Sequence, residues 1–347
     1  MKMKKKKIAM SDIFALSSYD YELPSHLIAT MPAKPKESAN LLIYDRSNSK
    51  ITHTKFGNLM EFLPPCDIIF NDTKVIKARI YGKKSSGGAV ELLLNQPLGD
   101  GKFSTLIKGR IKVGAILEFD NGLSCKICDI LDEYRVVKFY KDNKLLDTPN
   151  LYQILDQIGH IPLPPYIKRD DEKSDEIWYQ SVFAKNSGAV AAPTASLHFS
   201  YDMMENLKSK HNISYITLHV GAGTFKSVES SDIREHKIHS EIYSMSDQAI
   251  QAINSNRAIL GVGTTVTRCV EYFYKNGVKN GLCDLFLHPA NPPKRQNYLL
   301  TNFHLPKSTL IMLVASFVGL DNVKEIYKQA IEKEYKFYSY GDAMLVI

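Results

Sequence analysis

Histidines, threonines, glycines and carboxylates of this chain gather at the ends of apolar runs, where a folded sheet would present them to a ligand. Seven segments carry them: NDTK at 71–74, GAVAAPTASLHF at 188–199, LHVGAGTF at 218–225, HKIHSE at 236–241, GVGTTVTR at 261–268, TNFHLPKST at 301–309 and SYGDAM at 339–344. Glycine lets backbone approach a bound molecule, hydroxyls and amides at a helix start donate to an anion, and neighbouring histidines move protons. Read together, the segments form one cleft. Read singly, each is also a turn or a helix cap.

His219 interrupts an apolar strand between Leu218 and Val220. A proton-transfer group and a satisfied structural histidine are both open readings there, and His198 and His304 share the ambiguity. Asp72, Glu241 and Asp342 are candidate general bases, against an Asx-turn for Asp72 and a local cap for Asp342. His219, His236, His239 and Glu241 also suggest a metal-dependent hydrolase: on a helix His236 and His239 share a face, on a strand they diverge. Other machinery is missing. LPKST at 305–309 lacks the glycines of a phosphate-binding loop, GAG at 221–223 and GVG at 261–263 lack the third glycine of a dinucleotide fingerprint, and no GxSxG elbow occurs.

The elements that must hold these segments have two textures. From Cys66 to Asn150, short alternating runs such as GGAVELLLNQ, GKFSTLIKG and YRVVKFYKD are separated by Ser-Ser-Gly-Gly, Gly-Asp-Gly and Asp-Asn-Gly turns, which predicts a small all-β barrel or sandwich. Elsewhere strands alternate with helices. ISYITLHVGAGTF is a buried strand ending in a glycine turn, AILGVGTTVTRCVEYFY is a strand, turn and helix, and Val323, Ile326, Tyr327, Ala330 and Ile331 recur at helical spacing. The expectation is an α/β protein: a discontinuous α/β domain over 1–65 and 156–347, its working loops at the strand ends, with an all-β domain inserted over 66–155.

At 347 residues, 44% hydrophobic and 23% charged, the chain is long enough for two globular domains and is neither a disordered tail nor a disulfide scaffold. Lys2, Lys4, Lys5, Lys6 and Lys7 supply five of its seven net positive charges, so overall charge argues neither for nor against nucleic acid; Met10 is an alternative start. The five cysteines are odd in number and scattered, which indicates a reducing compartment. Cys125 and Cys128 of CKIC point to opposite faces of one strand, as small hydrophobes rather than a redox or zinc pair. Asp12, Asp20 and Glu22 follow the lysines before any apolar run of signal-peptide length, and the longest run near the C-terminus, 308–320, is far short of the roughly 20 residues that span a bilayer. These features point to a cytoplasmic protein with no membrane partner. No heptad pattern asks for a second subunit, so a monomer is expected.

In this order the segments closely resemble the S-adenosylmethionine:tRNA ribosyltransferase-isomerase family of the queuosine pathway. The resemblance runs along nearly the whole chain, through DYELPSHLIATMP at 20–32, NDTKVIKARIYGK, GHIPLPPYIKR, WYQSVFA, GAVAAPTASLHF, TLHVGAGTF, EHKIHSE, VGTTVTR, TNFHLPKSTLIMLV and YSYGDAML. It implies a barrel-like α/β large domain with an inserted small β-barrel domain. It also implies the reaction. The ribosyl part of S-adenosylmethionine, a co-substrate, moves onto the aminomethyl group of 7-aminomethyl-7-deazaguanine at the wobble position of tRNA, giving epoxyqueuosine-tRNA, adenine and methionine. The sulfonium acidifies the neighbouring 5′ C–H, so a modest base can form an ylide; adenine then departs with protonation or hydrogen bonding of its ring. The substrate amine attacks the sugar, and neither a protein nucleophile nor a metal is expected. The alternatives are the metal-dependent hydrolase above and a non-catalytic tRNA-binding protein.

Under this resemblance His219 or His198 would transfer protons, followed by His304, with Asp72 a further candidate. Gly221, Gly223, Thr224, Thr264 and Thr265 would cradle the cofactor. Arg79, Arg268 and Lys307 would meet phosphates or orient the base, and Tyr179, Phe199 and Tyr340 would stack on adenine or the flipped nucleotide. The chain departs from the family pattern at Lys36, Asn40, Lys74 and Lys336, where arginine is expected, at Ser196 for glycine and at Asn297 for aspartate. Lysine keeps the charge without the bidentate fork, and Asn40 keeps neither.

Overall fold

The computed structural model describes residues 12–225 and 228–347; the lysine-rich start and Met10 lie outside the described residues. In chain order β1 (Asn40–Asp45) and β2 (Lys50–Lys55) form a hairpin, followed by α1 (Leu59–Phe62), β3 (Asp67–Asn71) and β4 (Thr73–Val75). Seven strands come next: β5 (Arg79–Lys84), β6 (Ala89–Gly99), β7 (Lys102–Ile107), β8 (Ile116–Phe119), β9 (Leu123–Leu131), β10 (Tyr134–Lys141) and β11 (Lys144–Leu145). Then follow α2 (Thr148–Ile158), α3 (Asp175–Trp178), β12 (Asn186–Ala189), α4 (Tyr201–Lys210), β13 (Ile213–Leu218), β14 (Glu241–Met245) and α5 (Asp247–Asn254). The chain closes with β15 (Ile259–Val262), α6 (Thr264–Asn276), β16 (Asn280–Cys283), β17 (Tyr298–Asn302), α7 (Thr309–Val318), α8 (Leu320–Glu332) and β18 (Ala343–Val346).

All five residues of β3 are buried, the continuous pattern required of a strand covered on both faces. It sits in a nine-stranded mixed sheet ordered β16-β14-β13-β3-β15-β17-β18-β1-β2. This corrects the assignment of Cys66–Asn71 to the inserted module: its neighbours in sequence enter the barrel, but this strand is central to the large sheet. Alternate side chains serve two cores. Ile68 and Phe70 pack with Leu260, Val262 and Leu300, whereas Ile69 packs with Ile216, Val266 and Val270 on the opposite face. The end strands β16 and β2 do not pair with each other among the described residues. The α/β character therefore holds, while the barrel-like closure expected of the large domain is absent: helices cover an open sheet on both faces.

Closure belongs to the insertion. Strands β5 to β10 pair in the order β10-β7-β6-β5-β8-β9, and β9 pairs back onto β10 to complete a six-stranded barrel. Val90, Leu92 and Leu94 of β6 alternate into its core, and Leu151, Ile154 and Leu155 of α2 pack against them. Cys125 is buried in that core while its companion Cys128 stays partly exposed, as the strand period requires.

Strands β3, β13, β15 and β17 are parallel, so Asn71, Leu218, Val262 and Asn302 end at one edge of the sheet. The antiparallel strands β14 and β18 begin at that edge, with Glu241 and Ala343. The chain leaves for the barrel from β3 and returns beside itself through the parallel pair β4 and β12, which stands the barrel over the edge. No helix among the described residues is long and apolar enough to cross a membrane.

Candidate active site

Buried Asn71 organises the edge. Its Oδ1 accepts from the N–H groups of Leu218 at 3.0 Å and Thr73 at 3.1 Å, and its Nδ2 donates to the Leu218 carbonyl at 3.0 Å and Thr265 Oγ1 at 3.2 Å. The whole capacity of one amide is spent joining β3, β13 and the start of α6. Half-buried Asp72 is engaged through one oxygen: its Oδ1 accepts from Thr217 Oγ1 at 2.6 Å and Asn186 Nδ2 at 3.1 Å.

His219 is hydrogen-bonded through Nδ1 to Thr73 Oγ1 at 2.8 Å, and its N–H donates to the Ile242 carbonyl at 2.9 Å. Its ring lies against Gly188, where a Cβ would stand 2.8 Å from Nδ1 and where φ is 153°. Burial lowers the His219 pKa, opposed by the charge of Asp72.

Two adjoining cavities open in front of this framework. The more enclosed, of only about 90 Å³, lies between the Ala191–Ala195 segment, the start of α6 at Gly263–Thr265, the Thr301–Leu305 turn and Tyr166, Tyr179 and Tyr338. The other, of about 510 Å³, is an open cleft lined by His236, His239, Glu241, Glu229 and Glu235 of the large domain and by Asp132 and Glu133 of the barrel. Thr224, Thr309 and Leu310 belong to both walls. The residues expected to cradle the cofactor are divided: Thr224, Thr264 and Thr265 line the enclosed cavity, Gly223 lines the cleft, and Gly221 lines neither. His219 and Asp72 line neither.

The Gly221–Thr224 loop between the cavities is clamped from two sides. Gly221 N–H donates to Glu241 Oε1 at 3.0 Å, and Ala222 N–H donates to Asn95 Oδ1 of the barrel at 2.9 Å. Gly223 admits the His239 ring, since a Cβ there would come within 2.6 Å of it. Glu241 also pairs with Arg268, both buried. Arg268 Nε donates to the Leu285 carbonyl at 3.1 Å, and Nη2 donates to those of Cys283 at 3.0 Å and His239 at 3.3 Å. Four donations hold Arg268 in the floor of the cleft, which it lines, so of its two expected roles the contact to a phosphate is corrected and the orienting of a base is left as a proposal.

The remaining candidates separate. His304 lines the enclosed cavity, its Nε2 bonded to Thr301 Oγ1 at 3.0 Å; burial pushes its pKa down to about 3. His198 is stacked on Phe56, bonded through Nε2 to Asn302 Nδ2 at 3.0 Å, and lowered to about 4 by burial and by Lys36. Arg79 pairs with Glu91 at 3.4 Å and donates to the Leu163 carbonyl; partly exposed Lys307 pairs with Asp20 at 2.6 Å. Phe199 is core, edge-on to Phe56 and Phe70. Tyr179 and Tyr340 meet edge to face, with the Tyr340 hydroxyl donating to Asp175 at 2.9 Å, so neither presents a free ring for stacking.

Asp342 is a cap rather than a base. It accepts from the N–H of Asn40 at 2.6 Å, Asn40 Nδ2 at 3.0 Å and Lys336 N–H at 2.7 Å, so the departure at Asn40 keeps a structural bond there. Asn297 likewise caps the Ile259 N–H at 3.0 Å. The hydrolase set does not assemble: His219 is tied to Thr73 and Glu241 to Arg268, and no three His, Cys, Asp or Glu side chains among the described residues gather as metal ligands. Sequence reasoning missed Asn95. It sits where the β6–β7 register slips between Leu94 and Gln96, and a bulge inside a regular alternating run leaves no motif.

Residues 16–346 match the family model described as queuosine biosynthesis protein. The S-adenosylmethionine:tRNA ribosyltransferase-isomerase of Campylobacter fetus is 63% identical over 339 residues, covering 97% of this chain and all of the relative. That of Nitratiruptor sp. is 56% identical over 340 residues, again 97% of this chain and all of the relative. A crystal structure of S-adenosylmethionine tRNA ribosyltransferase from Thermotoga maritima aligns with a TM-score of 0.53 at 30% identity, covering 95% of this chain and all of that one.

Proposed function

The chain belongs to the queuosine biosynthesis protein family, and from that membership and the paired cavities we propose how it divides its two substrates. It is an S-adenosylmethionine-dependent ribosyltransferase-isomerase acting on tRNA. In our reading S-adenosylmethionine enters the enclosed cavity, against Thr264, Thr265 and His304. The open cleft at the barrel edge receives the 7-aminomethyl-7-deazaguanine base at the tRNA wobble position.

The carrying observation is the shared wall at Thr224, Thr309 and Leu310. The three residues set the cavities side by side, and a transfer between a small co-substrate and a macromolecular base requires such proximity. His236 and His239 face the cleft, where the incoming ammonium must lose a proton before its nitrogen can attack the sugar. Neutral His304, with the α6 threonines, faces the co-substrate. His219 and Asp72 act behind the wall as positioning groups. The enzyme works as a cytoplasmic monomer, with residues 79–145 forming the inserted barrel.

Incubation with S-adenosylmethionine and tRNA bearing the aminomethyl base tests the reading. Free adenine, free methionine and the mass of the added ribosyl group should appear together, and only with the modified tRNA. Tight tRNA binding without these products would leave a binding protein and overturn it.

A further inference from the structure

Tyr179 is fully buried in the wall of the enclosed cavity, yet among the described residues its hydroxyl completes no hydrogen bond. The Ser339 hydroxyl, already bonded to the Tyr166 hydroxyl at 2.5 Å, and the Ala192 backbone lie near enough to oppose the rise of the phenol pKa but close no hydrogen bond of normal geometry with it. A buried hydroxyl left unsatisfied destabilises the free protein. A second cost faces the same cavity. Tyr338 is held at φ 71°, a left-handed conformation unfavourable for a bulky aromatic, by its N–H bond to the Phe303 carbonyl at 3.1 Å and by the Gly341 N–H returning to its own carbonyl at 3.0 Å. That conformation sets the Tyr338 ring against Tyr166, with centroids 4.3 Å apart and planes tilted by 32°.

We propose that this part of the cavity is the adenine subsite of the co-substrate: the Tyr166–Tyr338 pair offers apolar surface to the purine, and the Tyr179 hydroxyl donates to one of its ring nitrogens. The assignment rests on the reaction given above. Adenine is planar, largely apolar on its faces and rich in acceptors at its edge, so it satisfies a lone buried donor between aromatic rings. The same hydrogen bond strengthens as the ring accumulates charge on leaving the sugar, which makes Tyr179 a group that favours departure as well as binding. Burial raises the Tyr179 pKa and keeps the phenol in its donating form.

The test compares wild type with Tyr179→Phe, using S-adenosylhomocysteine and its 1-deaza, 3-deaza and 7-deaza adenine analogues in calorimetric titrations with the modified tRNA present. The free variant should melt at or above the wild-type temperature, because an unsatisfied hydroxyl has gone. Its affinity for S-adenosylhomocysteine should fall about ten-fold, the worth of one hydrogen bond. One deaza analogue should weaken wild type by a similar factor and the variant no further. Losses that simply add for all three analogues, or a lower melting temperature with unchanged affinity, would overturn the subsite. Should the variant fail to fold, equal wild-type affinity for all three analogues overturns it as well. Wild type that releases no adenine from S-adenosylmethionine with modified tRNA defeats the underlying reading; active wild type without the coupling defeats only the subsite.

Discussion

Asn95 of the barrel accepts a hydrogen bond from the backbone N–H of Ala222 in the large domain at 2.9 Å. The loop that separates the two cavities is therefore held partly by the inserted domain. Asn95 is itself oriented by its bond to Ser104 Oγ at 3.0 Å, so the bulge in β6, the β7 hydroxyl and the glycine loop form one connected unit. The insertion supplies a wall of the cleft and also helps hold the loop that borders both cavities.

Replacing Asn95 by alanine removes that acceptor and frees the loop on one side. The lost bond is worth about 1 kcal/mol, which predicts a kcat/KM for S-adenosylmethionine about five- to ten-fold lower with a melting temperature reduced by only a few degrees. Steady-state kinetics beside a thermal melt checks it. A large drop in melting temperature with unchanged kcat/KM would show that the contact serves barrel docking alone.

Glu241→Gln should be far more damaging to stability. Arg268 would remain buried without its counter-charge, and breaking a buried pair by removing one partner costs about 3–5 kcal/mol. Glu241→Gln with Arg268→Met removes both charges and should recover much of the loss. Urea titrations of the single and double variants decide: equal destabilisation of the two would mean that the pair is not what holds the cleft floor.

The legible and illegible parts of this site differ in physical kind. The glycine, threonine and histidine segments could be read because each follows or leads into an apolar strand, and parallel strands deliver their carboxyl ends, and antiparallel ones their starts, to one edge. Arg268 could not be read correctly, because its partner Glu241 lies 27 residues away and only the β14–β16 pairing brings Cys283 and Glu241 to its guanidinium. Asn71 was visible as a polar end to an apolar strand, but its four bonds depend on β13 and α6 arriving beside it. The same short-range limit misplaced Asp67–Asn71 in the barrel: its neighbours have a strand period of two, while its own continuous burial marks a central parallel strand.

Stability should fall on mild acidification. His198 and His304 have folded pKa values of about 4 and about 3, below the ordinary value of 6.5. Between pH 6.5 and those values the unfolded chain binds protons that the folded chain refuses. Stability is thus complete above 6.5 and declines as pH falls through this window, with a slope of about 1.4 kcal/mol per pH unit for each histidine. Urea midpoints from pH 7.5 to 4.5 should track this decline, and His304→Gln should flatten it. A profile unchanged by that substitution would mean that His304 is not held neutral.

His219 and His239 offer the sharpest contrast between positioning and proton transfer. His219 is bonded to Thr73, rests on Gly188 and stands outside both cavities, whereas His239 lines the cleft beside Gly223. His219→Gln should lower kcat through a displaced β13 end, leave tRNA affinity nearly unchanged and preserve the acidic limb of the pH–rate profile. Under the proposed roles His239→Gln should weaken that limb, because one of the two cleft histidines proposed to take the ammonium proton would be gone. The profiles of the two variants, measured by adenine release at saturating tRNA, separate the roles. Loss of the limb in His219→Gln and its survival in His239→Gln would move proton transfer to the strand end and overturn the positioning role of His219.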